Sequence, residues 1–282
     1  MNEGGTGVAT EGRPDDAVPV AALVPFVLIT FGITWGLFCL FIFAPDAVAA
    51  VFGEISGRNP LFFLAVWAPG IAAFVLVLRH AGLHGLKGYL RRLTLWRCSP
   101  AWYAFVLLGI PLLFVAGAAL KGDLDEWSGW SGTAGALVTA LLVMLFQGPV
   151  EEFGWRGLAL PLAQRRLVPF WAGLAVGIVW AVWHLPAFLL SGTPQGAWSF
   201  TPFFLGSVGA ALIVTALFNA SRGSILLPLF FHFWLNNPLW PDAQPWDMYL
   251  FCAAAVAVVW LNRAAMFSRQ GAAIGVVTNR YA

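Results

Sequence analysis

The chain has 282 residues, 60% of them apolar and only 10% charged, with a formal net charge of +2. Water-soluble domains carry about 25% charged residues, so this composition excludes a soluble globular protein. The near-neutral balance offers no basic surface for nucleic acid, and none is expected as a partner. No polar stretch is long enough to fold separately, which leaves one membrane bundle as the expected domain.

Residues 1–17 hold Gly, Thr, Glu and Asp with one Arg and no apolar run. A signal peptide needs a basic start and an apolar core, so this segment reads as a disordered tail, and the first apolar stretch as an uncleaved insertion signal. A spanning helix needs about 20 mostly apolar residues. Eight stretches meet or approach that length: Val20–Phe43, Leu61–Leu78, Ala101–Leu120, Ala134–Ala163, Pro169–Leu190, Phe200–Ala220, Ser224–Leu239 and Trp246–Leu261. Lipid offers no partners to free backbone groups, so such runs must be helical. The expected fold is all-α, a polytopic bundle of about eight transmembrane helices over residues 18–262, followed by a C-terminal tail, 263–282. The seventh span is short, and the break at Ser221–Gly223 blurs its start. Cys39, Cys98 and Cys252 fall singly in or beside apolar stretches and read as packing residues.

Charge placement orients the bundle. With both termini inside, the inner segments hold Arg13, Arg79, Lys87, Arg91, Arg92, Arg97, Arg165, Arg166, Arg222, Arg263, Arg269 and Arg280. The outer loops hold only Arg58 and Lys121. This bias predicts a cytoplasmic location for the inner segments and both termini. Asp46, Glu54, Asp123, Asp125, Glu126, Asp242 and Asp247 all fall outside. Within the segment Gly82–Cys98, Leu83, Leu86, Leu90, Leu93 and Trp96 recur at helical spacing, while Lys87, Arg91 and Arg92 take other positions. It reads either as a helix lying in the cytoplasmic interface or as an ordinary basic connector. His80 and His84 belong to that basic region and are given no functional role.

Three charges remain inside a span: Glu151, Glu152 and Arg156, in the fourth. A charge near the centre of a membrane helix costs a few kcal/mol even on lenient insertion scales, which makes these groups functional candidates. Glu152 and Arg156 are four apart and can pair on one face. Glu151 points about 100° away, free to face a cavity, and Gly148 and Pro149 loosen the backbone just before it. Two histidines also lie in spans, His184 in the fifth and His232 in the seventh. Asn236 shares a face with His232, and Trp180 with His184. Imidazole beside carboxylate suits acid–base chemistry, and a His with an Asn amide offers donors for an oxyanion.

The order and spacing of E-E-F-G-W-R (Glu151–Arg156), W-A-V-W-H (Trp180–His184) and H-F-W-L-N (His232–Asn236) resemble the three-motif signature of the CPBP family. This family comprises the CAAX prenyl endopeptidases and bacterial relatives associated with bacteriocin processing and immunity, also called Abi proteins. The matched region covers about 141–239. Trp180 stands where the family often has Phe. The resemblance implies an eight-helix bundle with its site in a cavity open toward the cytosol and lipid. It also implies roles: Glu151 as general base for a water, His184 holding and polarising that water, His232 and Asn236 binding the oxyanion, and Glu152 and Arg156 supporting the geometry. The implied activity is a glutamate-type intramembrane endopeptidase without a covalent acyl intermediate.

No H-E-x-x-H motif occurs, and no Cys lies in the three motifs. Two His and two Glu could bind zinc in principle, but only Glu151 of the pair is expected to point with the histidines, so no cofactor is expected and zinc is the lesser alternative. Trp155, Trp180, Trp183 and Trp234 are pocket candidates, against interface anchoring or packing. The competing functions are a proton-coupled transporter, disfavoured by the lack of an inverted repeat, and a catalytically idle scaffold or immunity protein, disfavoured because all four catalytic positions are present. The expected partners are membrane lipids and a peptide or membrane-protein substrate. The excess of Arg over Lys and the abundance of Ala point to a GC-rich bacterium, and the expected location is its plasma membrane. One tension remains. At 1.5 Å per residue, His184 lies ~22 Å from the start of its span and His232 ~12 Å from its own, and a side-chain separation above about 12 Å would rule out a single site.

Overall fold

A computed structural model describes residues 17–54, 56–57 and 59–277. The expected N-terminal tail, apart from Ala17, lies outside the described residues, as do Arg13, Arg58 and Arg280. All regular structure among the described residues is helical. Six helices are long and apolar enough to cross a membrane: α1 (Val20–Phe43), α2 (Pro60–Thr94), α3 (Pro100–Lys121), α4 (Ala134–Gln164), α5 (Pro169–Leu189) and α6 (Phe200–Ala220). Two shorter apolar helices, α7 (Leu226–Leu235) and α8 (Trp246–Leu261), complete the bundle. Helices α1, α6 and α8 begin and end where the hydropathy pattern places them.

Three departures have local causes. Helix α2 does not stop at Leu78; it runs on to Thr94 across a kink at Gly82, whose φ of 62° only glycine adopts without strain. Helix α4 breaks at Gln147 (φ −94°, ψ −110°), just before Pro149, which has no N–H to give. It restarts as a tight turn at Gly148–Val150, continues through Glu151–Gly154 and widens into a π-turn at Trp155–Ala159. Helix α7 is shorter than its apolar run. Arg222 and Gly223 both take positive φ ahead of it, and Pro238 disfavours helical backbone at Asn237 beyond it.

Packing relies on small residues, as expected where lipid removes the hydrophobic drive between helices. Gly173 of α5 faces Thr215 of α6, and Gly206 of α6 faces Met248 of α8. Large apolar side chains such as Leu28 (67% exposed) and Val256 (72%) face outward, as a lipid-bathed surface requires.

The molecule has two distinct ends. At one, the basic segments are knitted together: Arg165 donates to Val18 O and Ile274 O, Arg269 to Arg166 O, and Gln164 to Ala273 O and Asn219. The segment expected as a C-terminal tail is therefore docked as far as Val277, with Val276 and Val277 buried. At the other end Lys121 pairs with Asp123 and Asp242, Trp127 donates to Leu239 O, and Gln147 to Gly57 O. Arg92 corrects the interfacial reading of its segment. It is 0% exposed and donates to the carbonyls of Gly157 (2.5 Å), Gly223 (2.8 Å) and Val276 (3.2 Å), between the rings of Tyr89 and Phe218. Five guanidinium donors in a rigid fork can serve several carbonyls at once.

Candidate active site

The restarted part of α4 wedges between α5 and α7. Glu151, Glu152 and Arg156 are at most 3% exposed. Glu152 Oε1 receives Arg156 Nη1 at 2.9 Å, the expected pair one turn on. The same oxygen lies 2.9 Å from His232 Nδ1, which corrects the expectation that only Glu151 points with the histidines. The 100° between the two carboxylates turns them to different neighbours: Glu152 to α7, and Glu151 to α5, where Trp180 Nε1 donates to Glu151 Oε2 at 2.8 Å.

Trp180 is the hub. Its indole N–H holds Glu151, and its carbonyl oxygen lies 2.8 Å from His184 Nδ1. A carbonyl only accepts, so Nδ1 of His184 carries a proton. The Trp180 ring meets both imidazoles edge to face, at 5.4 Å from His184 and 5.6 Å from His232, and the Arg156 guanidinium lies 4.8 Å from its centroid. These two ring distances bound the separation of the imidazoles at 11.0 Å, inside the limit for one site. The depth tension resolves through α7. Its entry loop is partly drawn into the protein: Arg222 is exposed, but Ser221, Gly223, Ser224 and Ile225 are buried, and Ile225 N donates to Arg92 O. Helix α7 starts only at Leu226, and six residues on His232 meets the Trp180 ring that His184 also meets.

Glu151, His184, His232 and Asn236 all line one cavity of about 690 Å³ with Trp180 and Trp183. Regular α-helix in α5 ends at Trp183 with His184 as its cap, two residues before Pro186, and Asn236 caps α7. Trp155 is not a lining residue; it is 1% exposed and packs edge to face on Phe26 and Trp183. Trp234 is also off the cavity, packed on Trp240. Among the described residues, no three His, Cys, Asp or Glu side chains are disposed to hold a metal ion.

Two residues at the cavity escaped sequence reasoning. Asp247, assigned to an outer loop, is 2% exposed and lines the cavity. Gly148 sits so close to α7 that a Cβ there would lie 2.7 Å from His232 Nε2 and nearer still to Asn236 Nδ2. Its position one residue before Pro149 at a helix break was the available signal. Only a missing side chain lets α4 approach the His–Asn pair this closely.

Two comparisons bear on this site. Residues 133–237 match the family model described as type II CAAX prenyl endopeptidase Rce1-like. A Methanococcus maripaludis protein named CAAX prenyl protease 2 is 31% identical over 179 residues, which cover 60% of this chain and 65% of that relative. The match thus spans a little under two thirds of the relative's length, and the relative is archaeal, whereas the composition pointed to a bacterium. All three motifs fall inside the matched stretch, so over residues 133–237 this chain is similar to the Rce1-like, type II CAAX prenyl endopeptidases.

Proposed function

We propose that the protein is an intramembrane endopeptidase that hydrolyses a peptide bond with a water activated by Glu151. The observation that carries this reading is the convergence of Glu151, His184, His232 and Asn236 on one cavity. Glu151 Oε2 is held by Trp180, and its carboxylate takes a proton from water as the oxygen adds to the scissile carbonyl carbon. His184 Nε2 accepts the other water hydrogen and fixes its direction. The negative charge moves to the former carbonyl oxygen, which Asn236 Nδ2 and the His232 ring stabilise. Glu152 holds Nδ1–H of His232 and so aims that ring. Collapse breaks the C–N bond, and Glu151 passes its proton to the leaving nitrogen, which closes the cycle without an acyl-enzyme.

Support for a metal-free mechanism is the donor arrangement itself. Glu152 is engaged by Arg156 and His232, and Asn236 is a poor zinc donor, so the four groups suit a water and an oxyanion better than an ion. In this reading α1–α8 all cross the plasma membrane of a bacterial cell, both termini are cytoplasmic, and residues 18–262 form the protease domain.

The test is cleavage of membrane-embedded peptides by purified protein and by the Glu151→Gln variant, with and without a strong chelator. A general base contributes about 10²–10⁴-fold, so the variant should fall by at least that factor while chelation changes nothing. Wild-type rates in the variant remove the proposed base; loss of activity on chelation alone replaces the water mechanism by a metal one.

A further inference from the structure

The cavity opens on the wrong side for a cytosolic substrate. Apart from Glu151 and Ala210, near the middles of α4 and α6, its helical lining residues come from the halves of the helices nearest the acid-bearing loops: Thr34 and Phe38 late in α1, Phe203 early in α6, Phe251 early in α8. The mouth is formed by the α5–α6 loop, through Pro194 and Gln195, and by the α7–α8 loop, through Asp242 and Gln244. No lining residue belongs to a basic segment. Toward the basic end the interior is filled. Trp155 to Gln164 of α4 are buried without interruption, Tyr89 donates to Phe153 O, and Arg92 closes over Gly157 and Gly223. His184 is five residues from the mouth-side end of α5 and fifteen from its basic end, the latter ~22 Å at 1.5 Å per residue.

Arg79, Lys87, Arg91, Arg92, Arg97, Arg165, Arg166, Arg222, Arg263 and Arg269 lie at or just beneath the basic end. Lys121 is the one basic residue described at the mouth end, and it is tied to Asp123 and Asp242. The excess of Lys and Arg sets which end stays in the cytoplasm. A cytoplasmic basic end and a cavity open to the cytosol therefore cannot both hold in this fold.

We infer that the site takes its peptide from the non-cytoplasmic face, so its substrate class is a translocated chain: a secreted peptide precursor, or the outer juxtamembrane segment of a membrane protein. Resting on the peptidase reading, this assignment excludes lipidated tails presented from the cytosol. An extended chain advances about 3.3–3.6 Å per residue, so a few residues reach from the mouth to Glu151.

The direction of access can be tested apart from catalysis. In a background of Cys39→Ser, Cys98→Ser and Cys252→Ser, single cysteines are placed at the mouth (Ala197→Cys) and at the basic end (Gln270→Cys), both exposed positions. A membrane-impermeant maleimide should label Ala197→Cys in intact cells and Gln270→Cys only after permeabilisation; the reverse pattern overturns the inference. A polar peptide added to sealed vesicles should then be cleaved in right-side-out but not inside-out preparations, and cleavage only in inside-out vesicles also overturns it. The expected labelling with no cleavage in either orientation counts against the peptidase reading and leaves the access assignment standing.

Discussion

Gly148→Ala tests whether the His–Asn pair must stand where it does. The glycine's φ is outside the left-handed region, so the backbone itself accepts alanine. The obstacle is space: the new methyl would lie 2.7 Å from His232 Nε2, and ordinary contact begins near 3.4 Å. His232 Nε2 must therefore retreat by about 0.7 Å, and Asn236 Nδ2 by more, or α4 must move away. Overpacking of this kind costs about 1–3 kcal/mol of stability, which for a chain of this size lowers Tm by roughly 2–12 °C. The catalytic cost is larger. A displacement of about 1 Å is worth ~10²-fold, and loss of one oxyanion donor ~10²–10³-fold. The expected result is a fall in kcat of about 10²–10³, or roughly 3–4 kcal/mol of barrier, with KM little changed because the methyl sits at the donors and not along the apolar walls. The assay is peptide cleavage across substrate concentrations, paired with thermal unfolding in detergent. In the double variant Gly148→Ala, Asn236→Ala the losses should fall far short of additive, since both changes remove the same donor. A wild-type kcat in Gly148→Ala would refute the oxyanion assignment.

Trp180→Phe keeps an aromatic ring beside Arg156 and both imidazoles and deletes only the indole N–H that reaches Glu151. A hydrogen bond to a charged group is worth about 1.5–3 kcal/mol, so kcat/KM should drop ~10–100-fold with Tm nearly unchanged; an unaltered rate would show that the indole does not hold the base. Glu152→Gln strands the buried Arg156 without a counter-charge, at about 3–5 kcal/mol, and Tm in a melting assay should fall by at least 6 °C. A melting point within 2 °C of wild type would mean that the pair contributes nothing. Arg92→Leu leaves the Gly157, Gly223 and Val276 carbonyls without their donor. At about 1–3 kcal/mol per stranded buried group it should lower Tm by several degrees, and Arg92→Lys should not restore it, because one ammonium cannot spread over three separate carbonyls. Full recovery by lysine would reduce Arg92 to a simple charge.

Most helix ends were legible because hydropathy alone determines where backbone must be internally satisfied. That is why α1, α6 and α8 sit where the apolar runs place them. What the sequence could not express is depth. Ser224–Leu239 reads as one apolar run, but the positive-φ turn at Arg222–Gly223, with Gly223 tied to Arg92, delays the helix to Leu226, so His232 comes only six residues into α7, beside the Trp180 ring. Arg92 misled for a related reason. A basic residue next to Lys87 and Arg91 looks like its neighbours until the carbonyls it serves, 65 to 184 residues away, are known. That Glu151, His184, His232 and Asn236 are site candidates was legible, since few polar groups lie in apolar spans, and the structure places all four on one cavity. Their bonds were not: the Trp180 N–H to Glu151 and the Glu152 contact with His232 depend on which helices flank α4.

Those bonds also separate the two glutamates more sharply than helical geometry did. Glu152 has a guanidinium and an imidazole on one oxygen, so its charge is compensated and its position is fixed from two sides. Glu151 has a single neutral donor, Trp180, and a face on the cavity. A buried charge is costly when it lacks a partner, and of the two carboxylates only Glu152 has a guanidinium bonded to it. In the proposed mechanism the pair divides by partner: Glu152, paired with Arg156, aims His232, and Glu151, held by Trp180 and facing the cavity, transfers the proton. Because removing Glu151's charge relieves burial while removing Glu152's creates an unpaired cation, the same Glu→Gln change should separate activity from stability at one position and damage both at its neighbour.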